Sequence, residues 1–183
     1  MLALLTAAGG ARALDGQYNP PRPGATFEML DITYDIVAHD GMVTHAQTRE
    51  GESAAILAGL HWMPKDRFDA IEGELDRGKL AEVWPLKAGK SIGFTLRHSG
   101  ADWDYEIAVI GQATISIPAG TFDTFVVRKT LRAERYNYVG RTQIWYAPNL
   151  GVPIRWEWRQ TEGQQAGATQ SGELTRYELA APE

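Results

Sequence analysis

The chain of 183 residues contains no cysteine. That absence removes disulfides, thiolate metal sites and a cysteine nucleophile, and with them lipid attachment of the bacterial lipoprotein kind. It leaves the cellular compartment open, because a domain of this length buries about 70% of its unfolded surface and needs no covalent staple. Long apolar runs are also missing: nothing approaches the ~20 apolar residues of a membrane-spanning helix, so the mature protein is expected not to span a membrane. Excess positive charge is absent too. A net charge of -5 and a pI near 5.4 give no global drive toward nucleic acid or anionic lipid, and no nucleic-acid partner is expected. Internal repeats and low-complexity segments are lacking as well.

What is present is an ordinary globular composition, 44% hydrophobic, 10% aromatic and 22% charged. Leu2 to Ala8 form a short apolar run, and Ala11-Arg12-Ala13 has the A-x-A form that signal peptidase prefers, so residues 1–13 read as a signal peptide or its remnant. No Lys or Arg precedes the run, which departs from a complete secretory leader. A periplasmic or secreted location is the expectation. Residues 14–25, with Asn19-Pro20-Pro21-Arg22-Pro23-Gly24, read as an extended lead-in, and residues 26–180 as one β-rich domain.

Strand-type residues run from Phe27 to Ala38 and from Met42 to Glu50, joined at Asp40-Gly41, a strong hairpin signal because the turn needs positive φ. Ala54 to Trp62 is too short for periodicity to separate strand from helix. Between Pro64 and Val83, Phe68, Ile71 and Leu75 recur at helical spacing, with Gly78 as a stop, which predicts one short amphipathic helix covering the β structure.

The longest alternation lies between 103 and 134, across a turn at Pro118-Ala119-Gly120. Pairing Ile117 with Thr121 gathers Trp103, Tyr105, Ile107, Val109, Ile115 and Ile117 with Phe125, Val127, Leu131 and Ala133 on one face. A second hairpin, Thr142 to Gln160, turns at Pro148-Asn149-Leu150-Gly151; pairing Ala147 with Val152 predicts a wall of Trp145, Ile154, Trp156 and Trp158. Gly172 to Leu179 reads as the last strand. The expected fold is a mainly β, strongly curved antiparallel sheet, a half-barrel or open barrel of about nine strands with one short covering helix.

Catalytic and metal signatures are weak. Gly89-Lys90-Ser91 looks like the end of a phosphate-binding loop, but Trp84 stands where that loop requires glycine. No serine sits in a G-x-S-x-G elbow, and the four histidines, His39, His45, His61 and His98, have no ligand spacing. Asp102, Asp104 and Glu106 share a strand face, where Glu106 is expected opposite Arg132 as part of a solvated surface. No catalytic residue, metal site or cofactor is assigned, and the chain is not expected to be an enzyme.

Lys129 is the exception, because the register puts it opposite Val109 on the apolar face, where a bare ammonium is costly. Two readings follow. Trp103, Tyr105, Phe125, Trp145, Trp156 and Trp158 line a concave apolar face, with Lys129 near its rim to meet an anionic head group, or the same aromatics fill a core against the helix.

Trp84-Pro85-Leu86 with Gly89-Lys90, Pro118-Ala119-Gly120-Thr121-Phe122, and Trp145-Tyr146-Ala147-Pro148 with Gly151 form three turn and strand-edge motifs. In these the chain resembles a family of uncharacterised bacterial periplasmic proteins sharing "WPL..GK", "P-x-G-T-F" and "WYAP..G", over roughly residues 27 to 179. The resemblance implies a curved sheet like that of the periplasmic lipoprotein carriers, with an apolar concavity, and carries over no catalytic residue. The leading expectation is an uncharacterised secreted protein that binds a lipid-like or other apolar small molecule. The alternative is an envelope module that binds other envelope proteins, for which Tyr136 and Tyr138 at a hairpin tip are the hint.

Overall fold

The structure, a computed structural model, describes residues 14–181, so the N-terminal apolar run and its cleavage-like motif lie outside the described residues. Eleven strands form one antiparallel sheet: β1 (Thr26–Met29), β2 (Ile32–Asp40), β3 (Val43–Thr48), β4 (Ser53–Leu57), β5 (His61–Pro64), β6 (Ser91–His98), β7 (Ala101–Ile117), β8 (Gly120–Ala133), β9 (Tyr138–Ala147), β10 (Val152–Glu162) and β11 (Thr169–Glu178). Their order, β5-β4-β3-β2-β1-β11-β10-β9-β8-β7-β6, is that of two meanders fused through β1 and β11. Local hairpins therefore build almost the whole sheet, and residues 65–90 make the one long crossing, from edge strand β5 to edge strand β6.

The sheet stays open, with no ladder between β5 and β6. Side chains of the crossing segment fill the gap. Phe68 and Ile71 pack with Val43, Leu57 and Met63 of the first meander and with Leu96 of β6. Leu80, Val83, Trp84 and Leu86 pack on Ile107, Val109, Phe125, Val127, Ile144 and Tyr146 of the second. The apolar spacing of this segment is helical as expected, but one helix is not what forms. Its backbone makes α1 (Lys65–Asp69), a 3-10 turn over Glu72–Glu74 and α2 (Arg77–Ala81). Gly78 lies inside α2, which Asp76 caps by accepting from the Lys79 N–H at 2.9 Å. The first helix ends at Ala70, and the Glu-Gly-Glu stretch that follows forms only a 3-10 turn.

Two further strands arise where the sequence shows a single run. Phe27 to Ala38 is itself a hairpin, turning at Leu30 and Asp31 with φ of 54° and 62°. This is the conformation usually signalled by Asn-Gly, so ordinary residues conceal it. Ala54 to Trp62 likewise splits at Ala58 and Gly59.

The lead-in packs as a strap against the sheet and the crossing segment. The Gly16 carbonyl accepts from Leu86 N–H at 2.7 Å, and the Tyr18 ring lies 5.1 Å from that of Trp84. At Gly151 (φ 74°) a Cβ would stand 2.1 Å from the Asn19 carbonyl oxygen, so only glycine allows the strap to cross the β9–β10 turn. The Gly151→Ala variant is expected to lose roughly 1–3 kcal/mol in urea unfolding and to expose residues 14–25 to protease; unchanged stability with a protected N-terminus would contradict this role for the strap.

Candidate binding groove

The register of β7 and β8 decides where Lys129 points. The turn uses only Pro118 and Ala119, pairing Ile117 with Gly120, and a bulge at Ile110 then shifts the ladder, so Lys129 faces Ile107 and not Val109. Glu106 correspondingly sits opposite Thr130, two residues from Arg132, which still approaches it to 3.9 Å. Two shifts of one residue preserve the parity, so Lys129 remains on the face of Tyr105, Ile107 and Val127. It is 7% exposed, between Ile107 of β7 and Thr142 of β9.

A groove of about 850 Å³ opens on this face. Trp103, Tyr105, Trp156 and Trp158 line it with Lys129, so five of the seven candidate side chains converge there. Phe125 does not line it. At 1% exposure it is packed into the core with Val127, Ile144 and Tyr146. Trp145 is on the opposite face of its strand, because a bulge at Ile154 makes Arg155 its partner while Trp156 pairs with Ile144. There Trp145 packs with Phe122, Val152 and Ile154, and the Arg155 guanidinium stacks 5.0 Å from its ring. The expected single wall of Trp145, Ile154, Trp156 and Trp158 is therefore corrected by one bulge.

Two glycines shape the remaining wall. A Cβ on Gly172, the cross-strand partner of Trp156, would come within 2.8–3.1 Å of that indole, and one on Gly140 would meet the Tyr138 hydroxyl at 2.3 Å and Trp158 Nε1 at 3.0 Å. The absence of side chains lets both indoles recline on the sheet. Trp156 Nε1 also donates to Met29 Sδ at 3.3 Å, joining the two meanders. Glycine inside strands was a readable sign of such close approach, although it does not reveal which ring approaches.

At the groove floor Lys129 Nζ lies 2.7 Å from His61 Nδ1 and 3.1 Å from Nε2. The two residues are 68 positions apart, so nothing local in the sequence couples them. Burial holds the Lys129 ammonium down to about 7 from its ordinary 10.5. Burial also pushes His61 well below 6.5, with the positive charges of Lys129 and Arg67 adding to the effect. Beyond the pair lies a small enclosed space of about 20 Å³, walled by Leu57, Leu60, Ile71, Phe94 and Leu96 among others. The pair thus stands between the open groove and closed apolar core. Burial raises the Tyr105 hydroxyl to about 12, so this wall contributes a neutral phenol at neutral pH.

The other chemical candidates sit elsewhere. Asp102, Asp104 and Glu106 are exposed; Asp102 meets Arg97 at 3.7 Å and Asp104 accepts from the Thr95 hydroxyl at 2.6 Å. Lys90 donates to the Trp84 carbonyl at 2.8 Å, which gives the phosphate-loop look-alike a structural role. Among the described residues no group of three or more His, Asp and Glu could hold a metal, and no helix is long and apolar enough to cross a membrane. Tyr136 and Tyr138 both approach Trp103, at 5.7 and 5.6 Å, and the Tyr136 hydroxyl donates to the Ser99 carbonyl at 2.9 Å, tying two hairpin ends together.

The depressed Lys129 sets a pH dependence. Between pH 7 and 10.5 the unfolded lysine binds more protons than the folded one, so stability rises with pH, by at most about 1.4 kcal/mol per unit. Lys129→Met is expected to flatten that rise in urea midpoints measured from pH 7 to 9.5; parallel curves for the two proteins would contradict it.

Three solved structures are similar over most of their length at low identity. An exported-protein candidate with a YmcC-like fold from Bacteroides fragilis is 14% identical, with 88% of this chain and 99% of that one covered and a TM-score of 0.43. A candidate lipoprotein from Parabacteroides distasonis is 14% identical, with 91% and 100% covered and a TM-score of 0.42. The hypothetical lipoprotein YmcC from Escherichia coli is 13% identical, with 87% and 84% covered and a TM-score of 0.47. No curated protein matches the chain. Residues 74–165, just over half of the chain and including Trp103, Tyr105, Lys129, Trp156 and Trp158, match a family described as protein of unknown function, DUF3108, and the chain belongs to that family.

Proposed function

We propose that the protein is a secreted, non-enzymatic binding protein that takes an apolar or amphipathic small molecule into the groove between its two meanders. The groove itself carries this reading. Its volume of about 850 Å³ falls within the roughly 300–1,000 Å³ of small-molecule sites, and apolar and aromatic side chains make up most of its walls, with His61, Asp66, Arg67, Lys129 and several glutamines among the polar remainder. The open sheet supplies the concavity, and the reclining indoles of Trp156 and Trp158 leave it unfilled. Transport out of the cytoplasm is supported by the apolar run and A-x-A motif within residues 1–13.

Fluorescence of N-phenyl-1-naphthylamine tests this directly. The probe is expected to brighten on binding and to be displaced by dodecyl amphiphiles below their micelle concentration. Gly172→Ala should push Trp156 up into the groove and weaken the probe roughly tenfold while the fold is retained. A protein that leaves the probe dark, or a Gly172→Ala variant that binds it unchanged, would count against the groove as the site.

A further inference from the structure

The groove joins two bases that no carboxylate among the described residues neutralises. Lys129 is 7% exposed and its side-chain hydrogen-bond partner is another base, His61. Arg67, on α1, lines the same groove, lies near enough to His61 to oppose its protonation, and makes no ion pair among the described residues. Asp66 is the carboxylate on the groove wall, and it too forms no ion pair with these groups. Elsewhere the protein pairs its charges readily: Arg77 is held by Asp40 and Glu72, Lys79 by Glu82, and Arg155 by Glu157. A buried amine left with a histidine, beside an unpaired guanidinium, departs from that pattern.

The surroundings of the cluster are also specific. His61 starts β5 immediately after the Ala58–Leu60 turn, Arg67 stands six residues later on the helix that packs on β4 and β5, and Lys129 comes from the middle of β8 across the groove. The three are thus supplied by both meanders and by the crossing segment, at the place where these meet. On one side are the groove's aromatic walls, and on the other the closed apolar core.

We infer that Lys129, His61 and Arg67 form a subsite for the acidic head group, carboxylate or phosphate, of an amphiphile whose apolar chain lies along Trp103, Trp156 and Trp158. This rests on the groove being the binding site and names the class of molecule it takes. The chemistry is complementary. An anion at the floor supplies the counter-charge that the protein omits, and it lets Lys129 carry its proton in a place where burial otherwise opposes the charge. Charge-assisted hydrogen bonds from an ammonium and a guanidinium are among the stronger polar contacts, and the buried setting of Lys129 strengthens its share. A neutral head group gains none of this. The inner end of the chain is closed by Leu57, Leu60 and Phe94, so the polar end stops at the base pair while the tail remains in the wider groove.

Displacement of N-phenyl-1-naphthylamine by dodecanoate, dodecyl phosphate and dodecanol, in the full chain and in Lys129→Met and Arg67→Gln, separates the possibilities. One or both acids should displace the probe at least tenfold better than the alcohol, and which acid is preferred identifies the head group. Lys129→Met should abolish the advantage of the acids over the alcohol. Arg67→Gln, at an exposed position where folding is not at stake, should weaken the acids several-fold. Equal displacement by acids and alcohol, or variants that weaken all three equally, would overturn the head-group subsite while leaving the groove in place. Failure of the probe and of every amphiphile to bind would instead sink the groove itself.

Discussion

The structure depends on one constraint: an eleven-stranded antiparallel sheet that coils without closing. Edge strands and an uncovered apolar face are liabilities in such a sheet, because both offer unsatisfied surface to water and to other chains. Here the two edges belong to β5 and β6, and the crossing segment that connects them is also what fills the space between them. Phe68, Ile71, Leu80, Val83 and Trp84 enter from that segment and are buried among strands of both meanders. The filling is incomplete over the central strands, and the groove is the part of the concave face that the segment leaves open.

Within that frame, small irregularities determine which side chains meet. The bulge at Ile110 compensates the short turn at Pro118-Ala119 and keeps Lys129 inward. The bulge at Ile154 has the opposite consequence for the aromatics, dividing Trp145 from Trp156 and Trp158. Gly140 and Gly172 then set the height of the indoles above the sheet. Each feature involves one residue, yet together they separate a concavity from a packed interior. The same logic places the strap, whose crossing over the β9–β10 turn requires glycine at position 151.

Much of the architecture was legible because the strands follow one another as hairpins. Alternation from 103 to 134 put Trp103, Tyr105, Ile107, Val109, Phe125 and Val127 on one face, but Ile115 and Ile117, expected with them, lie beyond the bulge at Ile110 and pack on the other face with Phe122 and Trp145. The pairing of Ala147 with Val152 was right at the turn. Much of what was lost was lost at points where the backbone departs from regularity, with Gly59 marking the β4–β5 turn but no glycine or asparagine marking the β1–β2 turn. Leu30-Asp31 makes a tight turn from residues that rarely adopt positive φ, so two strands read as one. Bulges leave no compositional trace, hence the displacement of Trp145. Lys129 was conspicuous because it interrupts an apolar face. His61 and Arg67 were not, since their relation to Lys129 exists only after both meanders and the crossing segment have assembled.

The six tryptophans provide a direct test of where a ligand goes. Indole N–H resonances in a 15N–1H spectrum, recorded as dodecanoate is added below its micelle concentration, report each ring separately. Binding in the groove predicts saturable shifts for Trp103, Trp156 and Trp158, while Trp84 in the core and Trp145 beneath Arg155 stay in place. Shifts confined to Trp84 and Trp145, or six unmoved indoles at saturating amphiphile, would contradict the account.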